Sequence, residues 1–370
     1  MKITDVTVTL FKWDEIPATF YSPLSGKIGG ESDLGLVTIS TDEGVEGHAF
    51  LGSSSQPASL DTPSLIRYLK PMLIGQNPLD RERLWQLLSQ LVRKSGIRVI
   101  GACDVALWDL AGRTLGEPVY NLMGGRTKQR VPVYATGSRP DLAKEMGFHG
   151  AKVPLPYGPA AGPEGLRRNV EFIGDWREKV GPDFPLMLDC YMALDLQYAA
   201  ELARLLAPFN LKWIEEPLMP DEYVAHRKLA RKLESLGTTT YFATGEHEYT
   251  RYGFQQLIEA GVGLLQPDVM WMGGPTEFTR VVAQAQAQAV SVVPHGCGVY
   301  GYYMAMAFDY INLAEFVMMS EQSDRIEPNF GTMFTNEPLP ESGYITLPET
   351  PGFGLELNRD ALNLVRPYTH

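Results

Sequence analysis

The sequence predicts an α/β chain whose larger part is a parallel β/α barrel, preceded by a smaller α+β unit. Three observations carry this. From Val131 onward, short apolar runs recur eight times. Most are followed by a stretch with helical spacing, and several end in an acid or a histidine. Eight strand-like runs with helices between them make a parallel sheet, and eight is the number that closes a barrel. A doubly wound open sheet is the structural competitor.

The elements follow in order. Residues 1–11 and 34–41 alternate like strands, and the DEG turn at 42–44 leads into a third run at 45–50. Gly/Ser-rich loops are expected at 21–32 and 52–57. Helical periodicity takes over at 61–73, 78–94 and 97–115. In CDVALWDLAGRTLG the residues Val105, Leu107, Trp108 and Leu110 share one side, and Gly116-Glu117-Pro118 stops the helix. The eight runs are VPVYATG (131–137), GAKVPL (150–155), LMLDCYM (186–192), KWIEEPL (212–218), YFATGEH (241–247), LLQPDVM (264–270), SVVPHGC (291–297) and NLAEFVM (312–318). Helices are expected at 163–180, 195–208, 221–236, 250–260 and 275–289. The last 40 residues, rich in Pro and Gly, lose the rhythm and are expected to fold back as an appendage.

Composition narrows the function classes. The 370 residues are 44% hydrophobic and 21% charged, with a mean hydropathy of −0.13. That is apolar enough for a large core and too mixed for disorder. The length suits two domains, or one long barrel with an added domain. A net charge of −12 argues against a phosphate-backbone binder, which needs a basic face. It does not exclude an anionic substrate, because a bound divalent cation can reverse the local field. Cys103, Cys190 and Cys297 are too few and too scattered for a disulfide framework or a Cys-rich zinc site. The N-terminus alternates like a strand, without the apolar stretch of a signal peptide, and no run approaches the roughly 20 apolar residues of a membrane span. The expectation is a cytoplasmic protein with no nucleic-acid or membrane partner.

The chemistry lies at the ends of the runs. Asp189, Glu215, Glu246, Asp268, His295 and Glu315 sit near the C-terminal ends of successive strand candidates, and Lys152 sits on the second. Charged residues are seldom buried unless paired or ligating a metal, and a closed barrel gathers all its strand C-termini around one mouth. One acid at a strand end would read as a salt bridge or helix cap; a series on consecutive strands does not. Asp189, Glu215 and Glu246 form a hard-oxygen set suited to Mg²⁺. The string His247-Glu248 invites a zinc H-E-x-x-H reading, but position 251 is Arg and the motif fails. Asp268 in Gln-Pro-Asp and His295 in Pro-His-Gly lie on adjacent strand ends, where a carboxylate can set the tautomer and basicity of an imidazole.

These residues resemble the enolase superfamily in its mandelate-racemase-like branch. The resemblance rests on LMLDCYM, KWIEEP, TGEHEYTRYGF, QPDVMWMGG and VVPHGCGVYG, with ACDVALWDLAGR and PVYNLMGG toward the N-terminus, and it covers nearly the whole chain. Within the branch, VYATGSRPDLAKEMGFHGAKVPLPYGP, VGPDFPLMLDC, APFNLKWIEE and the tail PGFGLELNRD with RPYTH are most similar to L-rhamnonate dehydratase-like acid-sugar dehydratases. The resemblance implies a modified TIM barrel, (β/α)7β, spanning 126–330, under an N-terminal α+β capping domain (1–125) that a C-terminal segment (331–370) completes. It implies one Mg²⁺ per subunit, held by Asp189, Glu215 and Glu246, and a reaction that starts by removing the proton beside a substrate carboxylate. Mg²⁺ stabilises the resulting enediolate, the role the superfamily is known for. His295, backed by Asp268, is the implied acid/base. Relatives with a Lys-x-Lys pair place a base on the second lysine; here the string is Lys152-Val153-Pro154, so two-base racemisation loses a partner and loss of water from one face is favoured.

The implied substrate is a sugar acid. Hexonates such as L-rhamnonate, pentonates such as L-lyxonate, and aldarates all remain open. Lys152, His247 and Glu315 are candidate substrate contacts, and Lys27 stands in the N-terminal loop where this fold selects substrates, against the simpler reading of a solvated lysine. The relatives point to a homo-oligomer built from dimers, up to an octamer. Two other readings compete. Gly296-Cys297-Gly298-Val299-Tyr300-Gly301 spells a G-x-G-x-x-G dinucleotide fingerprint, with Glu315 at a suitable distance, and Cys297 beside His295 could be spelled as a nucleophile pair. A non-catalytic metal-binding barrel acting as sensor or scaffold is the alternative of a different class.

Overall fold

A computed structural model describes residues 1–20, 27–53, 56–237, 240–296 and 298–367. The N-terminal unit begins with an antiparallel meander of β1 (Ile3–Phe20), β2 (Lys27–Thr41) and β3 (Glu46–Leu51). Strand alternation turns Val6 and Val8 of β1 inward, and the register sets them opposite Ile39 and Val37 of β2. β2 starts earlier than its pattern suggests: part of the loop expected at 21–32 is strand, with Trp13 opposite Ser32 and Thr19 opposite Ile28. A ladder is made of backbone bonds, and the GGES stretch carries no apolar alternation by which its pairing could be read.

Helix α1 (Ile97–Leu115) packs across β3 and is buried along most of its length. Gly47 allows this approach, since a Cβ there would lie 2.2 Å from the Ala106 carbonyl oxygen. The helix ends on Gly116 at φ 70°, where the Glu117 amide returns to the Gly112 carbonyl in a glycine C-cap.

Eight parallel strands make the larger unit: β4 (Val131–Thr136), β5 (Ala151–Pro154), β6 (Leu186–Asp189), β7 (Trp213–Glu215), β8 (Tyr241–Thr244), β9 (Leu264–Leu265), β10 (Ser291–Val292) and β11 (Ala314–Val317). They pair in sequence order, and β11 returns to pair with β4. A doubly wound sheet would instead reverse order at a switch point, so the rhythm closes as a barrel; among the described residues no ladder joins β10 to β11. Seven helices fill the connections: α2 (Pro140–Glu145), α3 (Gly162–Val180), α4 (Leu196–Leu206), α5 (Tyr223–Leu236), α6 (Thr250–Glu259), α7 (Pro275–Ala287) and α8 (Val299–Ala307). This is a (β/α)7β barrel under an α+β cap.

The barrel interior is layered. Tyr134, Met187, Trp213, Ala243, Leu264, Val293 and Leu313 form one buried apolar cluster inside the ring. Because side chains on a strand alternate, the next inward position lies two residues further on. On six of these strands, or just past their C-terminal ends, that position is Thr136, Asp189, Glu215, Gln266, His295 or Glu315. The period of two, stepping off an apolar plug, delivers the polar set to the mouth.

The C-terminal segment touches both units. β12 (Tyr344–Ile345) runs antiparallel to β4, and β13 (Val365–Pro367) adds an edge strand to the cap sheet beside β1. Two aspartates of α1 tie the seams. Asp109 accepts from the His48 and Phe353 amides at 2.9 Å each and from Arg113 Nε at 2.7 Å. Asp104 accepts from the amide and hydroxyl of Thr276, which opens α7, both at 2.8 Å. Among the described residues no helix is long and apolar enough to cross a membrane.

Candidate active site

The polar layer is one continuous network in two halves. In the first, Lys152 on β5 is essentially buried, with Nζ bonded to Glu215 Oε1, 2.9 Å from Glu315 Oε1 and 3.5 Å from Asp189 Oδ2. Glu215 also accepts from Trp213 Nε1 at 2.9 Å and Gln266 Nε2 at 2.6 Å. Asp189 takes the Tyr191 amide at 3.0 Å. Glu315 is bonded to the Thr136 hydroxyl and takes the Gly296 amide at 2.8 Å. Burial works against charge on Glu315, but Lys152 and His295 overcome it and bring its carboxyl down to about 2. Burial alone would strip the proton from Lys152; Glu215, Glu315 and Asp189 hold it in place and raise its pKa.

The second half is built on imidazoles. His295 Nδ1 lies 2.8 Å from Asp268 Oδ2, so the ring donates there and turns Nε2 toward Glu246 Oε1 at 3.2 Å. Asp268 is itself fixed by the Met270 and Trp271 amides at 2.8 and 2.9 Å. Burial disfavours the imidazolium, yet Glu246, Asp268 and Glu315 raise His295 to about 10. His247 faces Glu216, with Nδ1 at 2.8 Å from Oε2; burial again opposes charge, and Glu216 and Glu246 raise the ring to about 9. Glu246 is pushed up to about 7 by burial despite these imidazoles.

Eight of the nine residues singled out from the sequence thus meet at one mouth. The ninth, Lys27, begins β2, and its side chain lies outside the described residues, as does Cys297. The dinucleotide spelling loses its footing here, because the Gly296 amide that would cradle a phosphate is taken by the Glu315 carboxylate. The strand β10 ends at Val292, so the strand continuity that a Cys297–His295 pair would need stops short of both residues.

Several residues of the site carried no sequence signal of their own. Glu216 is the second glutamate of the Glu215-Glu216 doublet, of which only the first falls at the inward end of β7. It sits at φ 39°, a left-handed conformation costly for a side chain this size, and this turns it away from Glu215's neighbours toward Glu246 and His247. Donor atoms of Glu216, Glu246 and His247 lie within 4.8 Å of one another. Trp271 stands between the imidazoles, with ring centroids 5.6 Å from His247 and 5.4 Å from His295.

The donor set suits a hard divalent cation. Asp189, Glu215, Glu216, Glu246, Asp268 and Glu315 are all buried carboxylates, against one ammonium and two imidazoles. Burial, with Glu216 nearby, raises the Asp189 carboxyl, and burial together with Asp189 and Glu315 raises Glu215. Closely set carboxylates that resist ionisation are what a cation with oxygen ligands relieves.

Comparison with known proteins bears on this geometry. Residues 140–361 match the family described as enolase C-terminal domain-like, and residues 17–124 match the mandelate racemase / muconate lactonizing enzyme N-terminal domain. The chain belongs to the enolase superfamily. It is an enzyme, similar to proteins named L-rhamnonate dehydratase. An L-rhamnonate dehydratase of Saccharopolyspora erythraea is 41% identical over 341 residues, covering 90% of this chain and 85% of the relative. The crystal structure of L-rhamnonate dehydratase from Gibberella zeae superposes with a TM-score of 0.91 at 37% identity, covering 99% of this chain and 96% of that one. A structure of the Gibberella zeae rhamnonate dehydratase complexed with Mg has the same TM-score and coverage at 35% identity.

Proposed function

We propose that this enzyme is a Mg²⁺-dependent hydro-lyase that dehydrates a sugar acid, an L-rhamnonate-like aldonate, to its 2-keto-3-deoxy acid. The observation that carries the reading is the His295–Asp268 pair at 2.8 Å on one side of the mouth, with Pro154 where a second base would stand. Proline cannot accept a proton. One acid/base on one face suits loss of water and does not suit racemisation.

In this reading neutral His295 takes the proton from C2 at Nε2 while Asp268 holds Nδ1–H; engagement of Glu246 as a cation ligand would release Nε2 from its 3.2 Å contact and favour that neutral form. The imidazolium then returns that proton to the hydroxyl leaving C3, and the enol product tautomerises to the 2-keto acid. Asp189, Glu215 and Glu246 would hold Mg²⁺, which when bound supplies the positive charge required by the dianionic enediolate that the substrate carboxylate becomes. Lys152 is assigned to a substrate carboxylate oxygen, shared with the acids it already pairs. His247 and Glu315 are assigned to substrate hydroxyls, and Lys27 to substrate selection from the cap. The relatives named L-rhamnonate dehydratase support the sugar-acid class. A second ligand set has Glu216 in place of Glu215, favoured by its approach to Glu246 and His247.

The test is product formation from a library of aldonates and aldarates with Mg²⁺, trapping 2-keto-3-deoxy products with semicarbazide. L-rhamnonate is expected among the best substrates. Silence across the library, with Mg²⁺ binding shown by calorimetry, would favour a scaffold. Glu215→Gln and Glu216→Gln separate the ligand sets: the true ligand's loss should weaken Mg²⁺ binding by at least tenfold, within the 10–100-fold span that even outer-shell partners reach.

A further inference from the structure

Ser53 and Gln56 of the cap and the acid/base pair of the barrel are joined through one side chain. Arg98, at the start of α1, donates from Nη1 to Gln56 Oε1 at 2.6 Å and from Nη2 to Ser53 Oγ at 3.4 Å. Its Nε lies 3.9 Å from Asp61 Oδ2. The guanidinium carbon of the same side chain lies over the Trp271 ring, 4.4 Å from the centroid. Trp271 donates its amide to Asp268 Oδ1, and Asp268 Oδ2 holds His295. The Trp271 ring also borders both His247 and His295.

The surroundings make this joint stiff. A Cβ at Gly101 would lie 1.9 Å from the Met270 carbonyl oxygen, so α1 rests directly on the loop that carries Asp268 and Trp271. Trp85 Nε1 donates to the Gly273 carbonyl at 2.8 Å, clamping the far end of that loop. A planar guanidinium can stack with its face while its edge hydrogen-bonds, which an ammonium cannot do.

We propose that Arg98 is a positioning residue for the acid/base pair: it packs over Trp271 between Ser53 and Gln56 of the cap and the Asp268–His295 pair, so that these cap contacts set the aim of His295. Arg98 need not touch substrate for this. Misplacing an acid/base by a fraction of an ångström lowers the rate of the proton-transfer step more than it weakens substrate binding. The proposal rests on the sugar-acid reading only for its turnover assay.

The experiment compares wild type with Arg98→Met, Arg98→Lys, Trp271→Phe and the Arg98→Met/Trp271→Phe double variant. Calorimetric Mg²⁺ affinity, kcat and KM on the best sugar acid, and the near-ultraviolet circular dichroism of the tryptophans are measured for each. The expected result is a fall in kcat of about tenfold in Arg98→Met, with KM and Mg²⁺ affinity within about twofold of wild type. Arg98→Lys should behave like Arg98→Met, and the double variant should be no worse than the more damaged single one, since both break one joint. Arg98→Met should alter the near-ultraviolet spectrum in the Trp271 protein and leave it unaltered in the Trp271→Phe background. Additive losses, rescue by Lys, or an unchanged kcat would each overturn the proposal. A wild type silent on all sugar acids would sink the functional reading instead, and the spectral comparison would still decide the joint.

Discussion

The two halves of the barrel mouth hold their charge by different means. Around Lys152 an ammonium is locked among Glu215, Glu315 and Asp189, with 1% of its side chain exposed. Around His295 the counter-charge is an imidazole that keeps 15% exposure, one nitrogen tied to Asp268 and the other 3.2 Å from Glu246. An ammonium so surrounded keeps its proton, whereas an imidazole can exchange one at Nε2 once Glu246 is otherwise engaged, while the tied nitrogen preserves its orientation. A site that needs both a fixed positive charge and a movable proton can thus draw them from opposite sides of one inward row of side chains.

Three substitutions would break or sharpen that contrast. The largest effect is expected on the imidazole side. His295→Asn should lower turnover by roughly 10²–10⁴-fold, while Mg²⁺ binding and the folding transition stay as in wild type. Near-wild-type α-proton exchange of the substrate in D₂O would contradict the assignment. On the ammonium side the main expected loss is in stability. Lys152→Met leaves three carboxylates buried without their cation, and urea unfolding should show a loss of about 3–5 kcal/mol; a change under 1 kcal/mol would mean that the acids find other partners.

The smallest effect isolates a buried carboxylate that belongs to neither half. Asp104, at the seam of cap and barrel, is pushed up to about 7 by burial, against the two hydrogen bonds from Thr276. Its folded pKa therefore lies above the unfolded value of 3.8. The folded state keeps a proton that the unfolded chain releases, so this contribution is fully present below about pH 4 and is lost as pH rises to about 7. Thermal unfolding from pH 5 to 7 should show wild type losing about 2 kcal/mol of stability relative to Asp104→Asn. Parallel pH profiles for the two proteins would remove Asp104 from the account.

Much of this architecture is legible in the sequence. The eight apolar runs correspond to β4 through β11, because a strand buried on both faces has to be written in apolar residues and its ends in turn residues. Asp189, Glu215, His295 and Glu315 were legible for the same reason: a charge two positions past a buried residue stands out. Helix α2 was missed because its six residues offer too few apolar positions to show a period. The early half of β2 was missed because its pairing is written in backbone bonds.

Glu216, Trp271 and Arg98 mark where the sequence stops. Adjacent glutamates look equivalent along the chain, and only the backbone turn at φ 39° gives them different neighbours. Trp271 reads as one more large apolar residue until the loop after β9 folds it between two imidazoles. Arg98 and Trp271 are far apart in sequence and meet because α1 lies on that loop. By itself the sequence determined the strand order, the cap-and-barrel plan and the residue types at the mouth, since periodicity and burial are local properties of a chain. Which carboxylate faces the ammonium, which faces an imidazole, and how the cap reaches the acid/base pair were decided only by the tertiary structure, because those are relations between elements that packing alone brings together.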